Sequence, residues 1–337
     1  MATIYHDEDA DLGSLAGETI AVVGYGNQGR SQALNLRDSG LRVVIGNIRD
    51  AALEQAESDG FEVLPIAQAC AGADAVMLLL PDEIMPAVFA AQVAPNLRAG
   101  ALVDFASGYN VAFELIRPAS ELDVVLVAPR MIGVGVRETF LEGRGFPSFV
   151  GVHQDATGRA RARMLAIAKG IGSTRAGCIE MSMHDEASLD LFTEQGFGPA
   201  FGRVMMSAID LLVGAGYPPE AVLLELYLSG EFAFSLEKIR EVGMVRQMDF
   251  HSRTSQYGSI TRGIRYLGLD ASLKAKMGEI LDEIRSGRFA AEWTGKQEQA
   301  NELFEKVRKA REKLPHTQWE DRARAVFGIG DAGEDEG

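Results

Sequence analysis

The stretch Thr19-Ile20-Ala21-Val22-Val23-Gly24-Tyr25-Gly26-Asn27-Gln28-Gly29 decides the fold. Its first five residues form an apolar run without polar alternation, which suits a strand buried on both faces of a parallel sheet. The glycines follow at once and open a helix over Arg30 to Ser39. A GxGxxG pattern in that context predicts a dinucleotide site. Gly24 permits the tight turn, Gly26 lets the backbone approach a pyrophosphate, and Gly29 allows close packing of helix on strand. Tyr25, Asn27 and Gln28 complete the loop, and the start of the helix offers N–H groups and a positive dipole to phosphate.

Working outward, Leu41 to Ile45 reads as a second strand and Ala51 to Ser58 as a second helix, closed by Asp59-Gly60. Further strand-like runs fall at Ala75 to Leu80, Ala101 to Phe105, Val124 to Ala128 and Phe149 to Val152. Strands alternating with helical stretches imply an α/β fold with a doubly wound, Rossmann-type sheet. The second strand ends in Gly46-Asn47-Ile48-Arg49-Asp50, about 20 residues past the glycines, where ribose recognition belongs. Arg49 suits a 2′-phosphate and hence NADP. Asp50 suits a free 2′-hydroxyl and hence NAD, or else simply caps the helix that follows.

After Met181 the strand-like runs stop, and apolar residues recur at helical spacing over Leu189 to Val213 and Glu220 to Val242. The expected domains are a dinucleotide-binding domain over 1–181, an all-helical domain over 182–327, and a disordered acidic tail over 328–337. A chain of 337 residues is long enough for two cores. Its formal charge of −15 opposes binding to nucleic acid or anionic lipid. No apolar run approaches the roughly 20 residues of a membrane span. The polar, acidic start does not read as a targeting segment, so a cytoplasmic protein is expected. Cys70 and Cys178 are too few for a disulfide framework or a thiolate zinc site.

In Glu186-Ala-Ser-Leu-Asp190-Leu-Phe-Thr-Glu194, Asp190 and Glu194 are four residues apart and share one helical face. A like-charged pair at that spacing costs a few tenths of a kcal/mol unless a divalent cation reverses the sign. Leu189, Leu191 and Phe192 beside them suggest a partly buried segment. Glu225, within the apolar run Ala221 to Leu228, is a third acid in surroundings that read as buried, with a structural salt bridge as its plain alternative.

GYGNQGRSQALNLRDSG at 24–40, LLPDE at 79–83, VAP at 127–129, GIGSTRAG at 170–177, LDLFTEQ at 189–195, AGYPPEAV at 215–222 and SQYG at 255–258 together make the chain resemble the ketol-acid reductoisomerases in their short form. The resemblance spans nearly the whole chain. It implies an NADP- or NAD-dependent, magnesium-requiring enzyme of branched-chain amino-acid synthesis that rearranges and reduces 2-acetolactate or 2-aceto-2-hydroxybutyrate. It also implies a knotted helical domain and a homodimer or larger assembly. By the same resemblance Asp190 bridges two magnesium ions, Glu194 completes one of them, and Glu225 reaches the site from the partner subunit. Ser252 holds the substrate carboxylate, and Leu80, Pro81, Asp82 and Gly133 join the cofactor site.

Three positions depart from the family's pattern. Ser107 replaces a histidine, Arg130 stands for a lysine beside the metals, and Ser229 takes the place of a glutamate four residues after Glu225. Glu231 is no substitute, since on a continuous helix it would lie about 160° round from Ser229. Arg and Lys are not equivalent beside a metal. Two further readings therefore stand beside the full reaction: a reductase of a 2-keto acid or imine that has lost isomerisation, and a non-catalytic dinucleotide sensor.

Overall fold

The computed structural model describes residues 2–330, so most of the expected acidic tail, 331–337, lies outside the described residues. The chain divides into two units, Met1–Asp190 and Leu191–Gly337. The division falls after Asp190 because the helix preceding it is held by the first unit, as described below.

The first unit is built on a nine-stranded sheet: β1 (Ile4–Tyr5), β2 (Thr19–Val23), β3 (Arg42–Gly46), β4 (Val63–Leu64), β5 (Ala75–Leu78), β6 (Leu102–Phe105), β7 (Asp123–Pro129), β8 (Ser148–Gln154) and β9 (Cys178–Glu180). Their order is β1-β9-β8-β7-β6-β5-β2-β3-β4. From β4 across to β7 every pair is parallel. The sheet as a whole is mixed, since β8 runs antiparallel to β7 and β1 antiparallel to β9. β8 enters the sheet at the edge where β7 leaves it. The chain reverses its direction of winding between β2 and β5, the switch point at which such sheets bind ligands beyond the carboxyl ends of their strands.

Both faces of the parallel region are covered, which is why β2 could be read as an unbroken apolar run: all five of its residues are buried. On one face Ile20, Val22, Met77, Leu102, Val125 and Val127 pack with Ala33 and Leu36 of helix α1 (Asn27–Asp38). On the other, Val23, Val76, Val103, Phe105 and Leu126 pack with Ile66, Ala69 and Phe89. Helix α2 (Ala51–Ser58) follows β3. At the amino-terminal edge of the sheet, the buried guanidinium of Arg163 donates to Glu18 (2.8 and 3.1 Å), Asp123 (3.1 Å) and the carbonyls of Gly100 (3.1 Å) and Asp74 (2.7 Å). One side chain thus ties together the starts of β2, β5, β6 and β7.

Asp104 interrupts this apolar interior. It is fully buried in β6, between Met77 and Val125 in register, and among the described residues no side chain pairs with either oxygen. Burial pushes its carboxyl well above the usual range, and the backbone at Val127 and Phe105 opposes this only in part.

The second unit is helical throughout its described residues, with its longer helices at Gly198–Gly214, Glu231–Val242, Arg253–Gly263, Asp270–Arg285, Arg288–Arg311 and Pro315–Phe327. Its buried core is small, centred on Ile209, Val222, Leu223 and Ala323. Phe234, Tyr257, Tyr266, Leu303 and Phe304 are exposed. The helical run Met183–Gly214 is long and apolar enough to cross a membrane by length and composition, where the sequence suggested no such run; by itself this is weak support for a span.

Candidate active site

The glycine turn is held by close backbone contacts. Gly24 has φ +94°, and a methyl group there would come within 2.5 Å of the Leu79 carbonyl oxygen. A methyl at Gly29 would overlap the carbonyl of Gly24, so helix α1 packs on the turn only with glycine there. A methyl at Gly26 would meet no other described residue within 4 Å, which leaves the approach to the turn open. Gly26 caps α1, whose first N–H groups lack helical partners and suit a phosphate.

Tyr25 is buried, and its hydroxyl donates to Asp59 (2.9 Å), which also accepts from Arg30 Nε (2.7 Å). Tyr25 therefore offers the loop its backbone only. Gln28 is similarly committed: its Nε2 donates to the Met131 carbonyl (2.8 Å), and its Oε1 accepts from Gln32 (3.0 Å).

At the end of β3, the Asp50 carboxylate accepts from the Leu53 N–H (3.0 Å) and from Asn47 Nδ2 (2.8 Å), so it caps α2. Arg49 is exposed on the rim of a pocket that Asn47, Asp50, Leu64 and Pro65 also line. Beyond β5, Leu80 and Pro81 lead into Asp82, whose Oδ1 accepts from Asn110 Nδ2 (3.0 Å).

Met131 links this turn to a charged cluster. Gly133 packs on Asn27 so closely that a methyl would overlap the Asn27 carbonyl. A Gly133→Ala variant is expected to raise the Kd for NADPH at least ~10-fold, measured by nucleotide fluorescence. An unchanged Kd would show that this contact does not set the turn.

Beside Met131, Arg130 Nη2 donates to Glu186 Oε1 (2.8 Å) and Nη1 to Asp190 Oδ1 (2.7 Å). Both acids lie on α3 (Met183–Phe192). Glu186 is fully buried, and its other oxygen accepts from the Gly108 N–H (2.6 Å), in the loop that carries Ser107. Burial pushes the Glu186 carboxyl up to about 7, against the opposing pull of the Gly108 N–H and the Arg130 charge. The guanidinium also lies 4.9 Å from the Phe149 ring centre. The Ser107 hydroxyl accepts from the Tyr109 N–H (3.3 Å).

Several expectations change. The buried acid of this helix is Glu186, one turn before the expected pair. Asp190, Leu191 and Phe192 are half-buried, as the segment was read, whereas Leu189 is 46% exposed and Glu194 is exposed. Glu186 was legible only as the first member of an acidic series at spacing four, Glu186-Asp190-Glu194.

Glu194, Glu225 and Ser252 belong to the second unit. Glu225 is exposed, although Val222 and Leu223 just before it are buried. Ser252 caps the helix Arg253–Gly263 by accepting from the Ser255 N–H (3.2 Å). The helical-wheel argument about Glu231 does not apply, because Gly230 at φ +82° ends one helix and Glu231 begins the next. Among the described residues, no group of three or more His, Cys, Asp or Glu side chains is disposed to hold a metal.

The chain is similar to known proteins along nearly its whole length. Residues 14–177 match the family model "Acetohydroxy acid isomeroreductase, NADPH-binding domain", and residues 183–328 match "Ketol-acid reductoisomerase, C-terminal domain". A ketol-acid reductoisomerase (NADP(+)) of Pyrobaculum calidifontis is 45% identical, covering 91% of this chain and 94% of its own. The corresponding protein of Methanopyrus kandleri is 41% identical over 98% of this chain and 100% of its own. A solved NADH-preferring ketol-acid reductoisomerase from an uncultured archean superposes with a TM-score of 0.88 at 36% identity, covering 96% of this chain and 99% of that one.

Proposed function

Because the chain belongs to the ketol-acid reductoisomerase family, we propose that it is a nicotinamide-dependent oxidoreductase that rearranges and reduces 2-acetolactate or 2-aceto-2-hydroxybutyrate. In 2-acetolactate the methyl group moves from C2 to C3 as the C2 hydroxyl loses its proton and the C3 oxygen gains one. Hydride from the nicotinamide then reaches C2, and a proton reaches its oxygen. The observation that carries this reading is the position of Arg130: adjacent to Met131, whose carbonyl is bound by the glycine-turn residue Gln28, and paired with Glu186 and Asp190. Substrate oxygens placed there lie beside a permanent positive charge and near the opening of the dinucleotide turn.

Arg130 holds charge and moves no proton, since a guanidinium does not deprotonate in proteins. A magnesium ion, when bound, polarises a substrate oxygen as a Lewis acid. By the family's pattern Asp190, whose Oδ2 lies outside its ion pair, and Glu194, four residues on, are the donors that would hold such an ion. By the same pattern Glu225 would reach that ion from a second subunit, and Ser252 would bind the substrate carboxylate. Asp190→Asn is expected to abolish magnesium-dependent turnover while changing the NADPH Kd less than ~3-fold. Undiminished turnover would remove the metal assignment.

NADP is the preferred cofactor in this reading. Asp50 is committed to Asn47 and the α2 cap, while Arg49 stands exposed at the pocket rim. Arg49→Ala should therefore raise the KM for NADPH ~10-fold and leave that for NADH nearly unchanged.

At least a dimer is proposed, on the apolar side chains that the helical unit exposes. Phe234, Tyr257, Tyr266 and Phe304 are all more than half exposed, and an interface between subunits would cover such residues. Light scattering that found an active monomer would contradict this.

A reductase without isomerisation is the second reading, favoured by the engagement of Asp190 with Arg130. Assays separate the two. Turnover of 2-acetolactate and of 3-hydroxy-3-methyl-2-ketobutyrate supports the full reaction, and turnover of the second compound alone supports the reductase.

A further inference from the structure

We propose that Asp59 is a positioning residue for the dinucleotide: by holding Tyr25 and Arg30 at the end of α2, it fixes the spacing between the glycine turn and the Arg49 pocket. This rests on the reading of Arg49 as the partner of the 2′-phosphate. In the sequence Asp59 stands out only as the residue that closes α2.

The half-buried Asp59 carboxylate gathers bonds from two directions. Oδ2 accepts from the Tyr25 hydroxyl (2.9 Å) and Arg30 Nε (2.7 Å), and Oδ1 from Arg30 Nη2 (3.2 Å) and Gln55 Nε2 (3.2 Å). Arg37 Nη1 donates to the Asp59 backbone carbonyl (2.5 Å). Tyr25 belongs to the glycine turn, and Arg30 and Arg37 lie seven residues apart on one face of α1. A single residue is therefore bonded both to the turn and to the helix that the turn opens. The Arg30 guanidinium holds the Asp59 carboxyl below the usual carboxylate range, so the contact stays charged.

Packing does little to place α2. Among its 8 residues only Ala56 is buried, so its two ends decide where it sits. At the first end, the Asp50 carboxylate joins Asn47 Nδ2 (2.8 Å) to the Leu53 N–H (3.0 Å), which makes the pocket rim and the helix one piece. Leu53, Glu54 and Glu57 of α2 form a wall of the same pocket. At the other end, Asp59 pins that piece to α1. Asp59 is not among the described residues that line the pocket, so it acts through α2.

NADPH must engage the turn through its pyrophosphate and the rim through its 2′-phosphate at once. Two contacts on one ligand reinforce each other only where their spacing is set beforehand. A fragment that touches the rim alone is indifferent to that spacing.

Calorimetric titration of the full-length protein with NADPH and with 2′-AMP, which reaches only the pocket, tests this. In Asp59→Ala the Kd for NADPH is expected to rise ~10-fold, while that for 2′-AMP stays within ~2-fold of wild type. Tyr25→Phe keeps the ring and the Asp59–Arg30 pair, so it folds even where the first variant does not, and should raise the NADPH Kd ~3-fold with 2′-AMP again unaffected. Partial unfolding would weaken both ligands alike. Equal loss of the two in Tyr25→Phe, or an unchanged NADPH Kd in either variant, would overturn the proposal and leave the Arg49 reading intact. Failure of the wild type to bind 2′-AMP would overturn both.

Discussion

Replacing Arg130 by methionine is expected to destabilise the protein by about 3–5 kcal/mol at pH 8 in the presence of a chelator, because Glu186 is left buried without its partner. The loss should be much smaller near pH 5. The Glu186 carboxyl titrates at about 7 in the fold against an ordinary value of 4.5, so the fold binds its proton more tightly than the unfolded chain does. That contribution to stability is complete below pH 4.5 and is lost as pH rises through about 7. Without the guanidinium, the folded value moves higher still, and the penalty keeps growing above pH 7. Adding Glu186→Gln to the methionine variant should restore most of the loss at pH 8. Urea denaturation at the two pH values measures this, and a loss independent of pH would show that Glu186 is not its source.

Asp104→Val is expected to act in the opposite direction, stabilising the protein by about 2–4 kcal/mol at pH 8. Asp104 is buried with no side-chain partner among the described residues, and burial holds its carboxyl well above the usual 3.8. The sign is again that of a raised group: stability is full below the unfolded value and declines by about 1.4 kcal/mol per pH unit until the folded value is reached. Valine removes that decline and suits a strand position flanked by Met77 and Val125. Equal stability of the two proteins across pH 5–8 would mean that Asp104 has a partner in solution.

The glycine turn and the strands around it were legible because a strand buried on both faces leaves an unbroken apolar run, and because the turn admits only glycine at Gly24 and Gly29. β1, β4 and β9 were not, since two or three residues carry no periodicity. The reversed direction of β8 was hidden for another reason: pairing direction leaves no mark on the composition of a single strand. In the site, residue spacing located the acidic helix and its apolar neighbours marked it as partly buried, but nothing local singled out Glu186 as its fully buried acid. Leu189 is turned outward, while Glu186 is anchored by residues 56 and 78 positions away, Arg130 and Gly108. Contacts of that range cannot be read from local pattern.

The Arg163 junction shows where the dinucleotide domain keeps its rigidity. Four strands are clamped at one rim by a single guanidinium, while Ser107 and Arg130 follow or end strands at the opposite rim. The register of these strands is thereby fixed from the rim that lies away from Ser107 and Arg130.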